Sequence, residues 1–301
     1  MADLSPLYAV IDTARAPEIY PGLMHYAPDA QCLYGGTLAP DIRAAAPYLV
    51  AMAEPSPLLH WVRNAGLGRA WGIALRSRAP AERVRLHLKT LLRTRLINGD
   101  LGLFRFYDPC VLPFYLSACS EADRAAFFGP IEVFYVEATE FGPARSFHNT
   151  TPPDLNVRQL SFGFSGVPMP QAVLDAFAPL GISARIRELT EWASRTMPYW
   201  TDLPAWSDPV SDAELNRRVR IGVYRAWRYG LRSEWAVFRF FFRMVVLSPN
   251  FDQQPTIQAV LADPVMSGED KNRELLSGKY FMIWADAATY PQDWTERPGE
   301  Q

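Results

Sequence analysis

The sequence predicts an α/β (α+β) N-terminal lobe with a helix-covered sheet, followed by a mainly α-helical C-terminal lobe. Three observations carry that expectation. Strand-like and helix-like segments alternate up to about residue 140; the chain then becomes rich in Pro, Asn, Thr and Ser from Gly142 to Asn156; beyond that, apolar stripes at helical spacing follow recognisable caps.

Taken in order, the strand candidates are Leu7–Ile11, Gln31–Tyr34, Tyr48–Met52, Ala70–Arg76, Leu101–Phe106 and Ile131–Val136. Helix candidates lie between them near 14–26, 56–65, 80–97, 109–117 and 120–127. The 80–97 segment is the clearest, because Pro80 and Glu82 suit a first turn and Val84, Leu88, Leu91 and Leu92 recur at helical spacing. Arg85, Lys89 and Arg93 would line one flank of that helix. After a strand-like run at Val157–Phe164, Ser211-Asp212-Ala213-Glu214 has the form of a capping box, and Leu215, Val219 and Val223 continue it as a stripe. Gly230 is placed to end that helix and Ser233 to cap the next, which makes a helical hairpin. The expected division is an α/β domain over 1–141, a linker and connecting strand over 142–164, a helical lobe over 165–290 and a tail over 291–301.

Composition narrows the function classes. A hydrophobic content of 49% with 21% charged residues belongs to a globular chain and excludes wholesale disorder. A net charge of −2 supplies no overall footprint for nucleic acid or an anionic membrane. Cys32, Cys110 and Cys119 lack metal or redox spacing and suit a reducing compartment. The first residues lack a signal-peptide pattern, and no apolar run approaches the length of a membrane span, so the expected location is cytoplasmic, without membrane insertion.

The strongest local signature is Leu103-Phe104-Arg105-Phe106-Tyr107-Asp108-Pro109, followed by Ala126-Phe127-Phe128-Gly129-Pro130. An apolar-aromatic strand there ends in an Arg/Asp pair and a Pro, and a second aromatic pair ends in Gly-Pro. Arg105 and Asp108 are expected to pair with each other at a strand-to-helix corner, with Pro109 at the first helical position. Upstream, Trp71-Gly72-Ile73 closes a Gly-rich turn containing Gly66 and Gly68, and Tyr8-Ala9-Val10-Ile11-Asp12 opens the chain. The order of these motifs, over about residues 7–136, resembles the adaptor (effector chaperone) family of bacterial type VI secretion systems. Cys110 departs from the family pattern, which has a basic residue after the Pro. The resemblance implies a non-enzymatic, cytoplasmic adaptor that needs no cofactor. Such a protein holds a cognate secreted effector and helps load it onto the secretion spike; whether it touches the spike directly is left open.

Signatures of catalysis are weaker. Gly163-Phe164-Ser165-Gly166 begins a nucleophile elbow but Val167 breaks it, and a dinucleotide pattern starting at Gly66 and Gly68 fails at Trp71. His25, His60, His87 and His148 stand apart from one another at no zinc-binding spacing. Glu132, Glu137 and Glu140 gather around one strand, so the alternative function is a hydrolase using carboxylates near Asp108 and Glu132. For binding, the segment Glu234–Leu247 is apolar almost all round and is interrupted only by Arg239 and Arg243. Burial is the plain reading of such a helix. The functional one places Phe238 and Phe242 on a partner surface with Arg239 and Arg243 at its rim.

Overall fold

The computed structural model describes residues 5–95, 101–150, 162, 166–196 and 210–297. The chain forms two compact units, Met1–Pro179 and Leu180–Gln301.

The first unit begins with β1 (Leu7–Asp12), whose apolar run is buried on both faces. It continues through α1 (Ile19–Tyr26), β2 (Gln31–Cys32), α2 (Pro40–Ala44), β3 (Pro47–Ala51), α3 (Pro57–Trp61), β4 (Gly72–Arg76), α4 (Ala81–Leu91), β5 (Arg93–Arg95) and β6 (Leu101–Leu103). Then follow α5 (Leu112–Ala118), α6 (Glu121–Phe128), β7 (Val133–Val136), β8 (Arg145–His148), β9 (Val167–Pro168) and α7 (Gln171–Ala176). Six strands make one antiparallel sheet in the order β2-β3-β1-β4-β7-β8, and β6-β5-β9 make a smaller one. Side chains alternate across the large sheet as a period of two requires. Tyr8, Val10, Ile73, Leu75 and Phe134 face a core completed by Leu88, Leu112, Tyr115, Phe127 and Phe128. Ala9, Ile11, Tyr48 and Val50 face the other way, onto Ile19 and Leu23 of α1 and Leu58 and Leu59 of α3.

Two of the signature glycines are fixed by close approach. A Cβ on Gly72 would lie 1.9 Å from the Val10 carbonyl oxygen, so only Gly lets β4 pair this closely with β1. Gly129 ends α6 at φ +49°, a conformation that L side chains avoid, and a Cβ there would meet the His87 ring at 2.4 Å. His87 Nε2 donates to the Phe127 carbonyl at 2.8 Å and so ties α4 to the end of α6.

The structure differs from the sequence expectations in several places. The helix expected over 80–97 ends at Leu91, and Arg93 belongs to β5, because Thr94 is buried and its hydroxyl donates to the Val167 carbonyl at 2.8 Å. The strand expected over 101–106 stops at Leu103, after which the chain turns and buries Phe104, Phe106 and Tyr107 together. Residues 145–148, expected in a linker, form the last strand of the large sheet, and β9 and α7 also belong to the first unit. The division therefore falls after Pro179. Of the strand expected over 157–164, Phe162 alone is described; it packs on the core, and the rest lies outside the described residues, as does most of Gly163–Gly166.

The second unit holds α8 (Ala178–Thr196) from Leu180 onward, α9 (Asp212–Arg228), α10 (Glu234–Val246), α11 (Pro255–Ala262), α12 (Gly268–Leu275) and α13 (Phe281–Ala287). The caps are as expected: Ser211 accepts the Glu214 N–H, Gly230 adopts φ +78°, and Ser233 accepts the Ala236 N–H. Arg217 and Arg218 grip Glu214 and hold its carboxyl at about 2. The segment expected as a tail packs back on its own unit. Trp294 is buried, Asn250 donates to the Pro291 and Asp293 carbonyls at 3.0 Å, and Arg297 pairs with buried Asp252 at 2.6 Å.

Gly129→Ala is expected to cost about 2–3 kcal/mol in urea denaturation, the sum of a disfavoured backbone region and a displaced His87. Burial also holds the His87 pKa below its ordinary value, with Arg83 adding to the shift and the bond to Phe127 opposing it. The unfolded chain therefore takes up this proton first as pH falls. Stability due to neutral His87 is complete above the ordinary histidine range and declines below it, at up to about 1.4 kcal/mol per pH unit. A stability–pH slope that is unchanged in His87→Gln would contradict this assignment.

Candidate partner-binding surfaces

The Arg105/Asp108 corner is built from crossed pairs. Arg105 binds Asp12 at the end of β1, and Asp108 binds Arg15, so the two residues do not pair with each other as expected. Arg15 Nε also lies 3.8 Å from Asp12, and this supplies the second cation that Cys110 does not provide. Asp12 is only 1% exposed; its Oδ1 accepts the Ala14 N–H and its own N–H donates to the Trp71 carbonyl at 2.7 Å. Pro109 sits in a turn rather than at the start of a helix. The Asp108 carbonyl accepts from Val111 and Leu112, its carboxylate accepts the Cys110 N–H at 2.8 Å, and α5 begins at Leu112. Buried Tyr107 lies beneath this network, its hydroxyl pushed well above the ordinary range by burial and then by the charge of Asp12. The network joins β1, β4 and the corner as a structural clamp.

A trough of about 530 Å³ opens on the α1/α3 side of the large sheet. The two helices cover β3 and β1 and leave the face of β4, β7 and β8 largely bare. Gly72 and Ala74 form a floor of small residues; Trp71, Leu67 and Tyr135 rise around it, with Leu67 73% exposed. The wall is pinned by Glu137, whose carboxylate accepts N–H bonds from Gly68 at 2.5 Å and Ala70 at 2.6 Å, the latter at φ +55°. Sequence reasoning missed this surface. Its only signal was the alternation of small or aromatic residues on two strands, which means nothing until Ala74 is paired with Tyr135.

In the second unit, α10 is buried along Val237, Phe240, Phe241 and Met244, yet one strip faces outward. Trp235 is 66% exposed and Phe242 41%, while half-buried Phe238 stacks on Phe242 with ring centroids 6.1 Å apart. Arg239 lies over the Trp235 ring at 5.5 Å, and Trp192 of α8 meets Phe238 edge-on. Beside the strip is a pocket of about 220 Å³ lined by Trp192, Trp235 and Phe238. Arg243 is not at the rim. It is 9% exposed, 4.9 Å from the centroid of the Trp284 ring and 3.5 Å from the Asn272 amide oxygen, because α12 and α13 cover that end of α10. Burial, with Arg239 nearby, pushes its guanidinium down to about 10.

Asp108 and Glu132, the residues of the hydrolase alternative, are held separately: Asp108 by Arg15, Glu132 by the Ser5 hydroxyl at 2.7 Å and by Arg78 at 3.5 Å. Among the described residues no cluster of His, Cys, Asp or Glu could hold a metal ion, and no helix is long and apolar enough to cross a membrane.

Asp12→Ala is expected to cost about 2–3 kcal/mol by urea denaturation, less than breaking a fully buried pair because Arg105 is partly exposed. Arg15→Ala, at the open side of the network, should cost under about 1 kcal/mol.

The family described as a domain of unknown function (DUF4123) matches residues 7–126, from β1 into α6 and across the whole clamp. No curated protein and no solved structure matches the chain.

Proposed function

We infer that this protein is a non-enzymatic adaptor that binds a cognate type VI secretion effector and helps load it onto the secretion spike. The observation that carries the reading is the open apolar trough on the sheet of the matched unit, a concave surface suited to binding another chain. The motif order that resembles the adaptor family lies in that same unit, and the aromatic strip of α10 is a second surface of partner-binding composition. Trp and Arg in that strip are residue types enriched at binding hot spots, and Phe is enriched at interface cores.

The test is co-expression with a candidate toxin encoded beside the gene, followed by pull-down and by secretion assays of the toxin in a strain lacking the adaptor. Capture of the toxin and its loss from the secreted fraction in that strain are the expected results. Toxin that is secreted equally well without this chain would refute the reading. Within the complex, Arg239→Glu and Trp235→Ala should leave the circular dichroism spectrum unchanged and weaken capture several-fold. Arg243→Glu should instead lower the melting temperature strongly, because it buries a carboxylate against Trp284, a loss of about 3 kcal/mol.

A further inference from the structure

Strand β8 is the outer edge of the six-stranded sheet, and Arg145, Ser146 and His148 are exposed along it. Its polarity follows from the register. The Asn149 N–H donates to the Glu132 carbonyl at 2.8 Å, and Phe134 stands opposite Phe147 and Tyr135 opposite Ser146. In an antiparallel ladder, bonded and non-bonded pairs alternate. Phe147 and Arg145 therefore bond inward to β7, and Ser146 and His148 turn their N–H and C=O groups outward. Ser146 also shares its face with Tyr135, at the margin of the trough. Among the described residues no strand pairs with the outer side of β8, so a ladder edge and an apolar trough adjoin, and Arg145 adds positive charge at one end of the edge.

We propose that β8 receives an extended segment of the partner as a seventh strand, with alternate apolar side chains of that segment on the trough face, at the margin marked by Ser146 and Tyr135, and a carboxylate beside Arg145. The proposal rests on the adaptor reading for the existence of a partner and goes beyond it in naming the surface and the conformation of what binds. An edge strand supplies main-chain bonds whatever the sequence of the incoming segment, while the trough reads every second side chain. A helix laid in the trough would leave the outward groups of Ser146 and His148 unused; an added strand uses both surfaces at once.

Ser146→Pro separates the possibilities, since it deletes an outward donor and leaves the inward bonds of Phe147 and Arg145 to β7 intact. The probe is the co-expressed toxin of the pull-down above. Ser146→Pro is expected to keep its melting temperature within a few degrees and to bind the toxin at least ten-fold more weakly, with Ser146→Ala, which retains the N–H, binding as wild type. Hydrogen exchange on the wild-type complex should show new protection at the Ser146 and His148 amides, and this readout stands even if the proline variant fails to fold. Unchanged binding by a folded Ser146→Pro, or no protection at those amides, overturns the strand while leaving the adaptor reading in place. A wild-type dimer that Ser146→Pro dissolves without loss of toxin binding assigns the edge to a second copy and likewise overturns the proposal. Failure of the wild-type chain to bind the toxin removes both.

Discussion

The carboxylate of Asp12 sits almost wholly buried at the end of the central strand, and the arrangement of the first unit depends on how its charge is met. A lone buried carboxylate is costly, so the chain supplies Arg105 from the aromatic corner, the Ala14 N–H from the following turn and Arg15 at slightly longer range. Each donor comes from a segment that must be in place for the pairing to form. Arg15 in turn holds Asp108, whose carbonyl and carboxylate set the turn that starts α5. The position of one charge thereby couples the middle of the sheet to the helices that cover it.

Coverage of that sheet is unequal, and this leaves part of one face bare. One face is sealed by the aromatic core around Phe127, Phe134 and Tyr115. The other is sealed by α1 and α3 only over β1 and β3, where Trp61 and Trp71 pack with ring centroids 5.0 Å apart. Small residues on β4 and an open edge at β8 complete the bare part. The second unit meets its own buried charge in a similar way: Asp252 is neutralised by Arg225 and Arg297 and accepts the Tyr229 hydroxyl at 2.9 Å. Burial first, and then the Asp252 charge, raises that hydroxyl to about 12. This pairing, with the Asn250 bonds to Pro291 and Asp293, holds residues 291–297 against the unit.

Much of the architecture was legible in the residues. The β1 run, the helix from Pro80, the capping box at Ser211, the stop at Gly230 and the cap at Ser233 are local signals, and each appears where local chemistry places it. What failed was pairing between distant segments. Arg105 and Asp108 are close in sequence and look like partners, yet Asp12 and Arg15 take them, since the turn at Asp108 directs the two side chains to different neighbours. Arg93–Arg95 reads as the end of a helix until the ladder to β6 and β9, which buries Thr94, overrides its propensity.

The sequence by itself therefore determined the succession of elements, their caps and breaks, and the class of fold, because these follow from periodicity and from side-chain to backbone bonds within a few residues. Tertiary structure alone decided which charges meet, that residues 145–148 finish a sheet instead of opening a linker, that Arg243 is enclosed while Arg239 stays at the surface, and that small residues on β4 lie beside an exposed edge. Those outcomes depend on contacts between residues far apart in the chain. Periodicity can name the face on which a residue lies but not what comes to cover it.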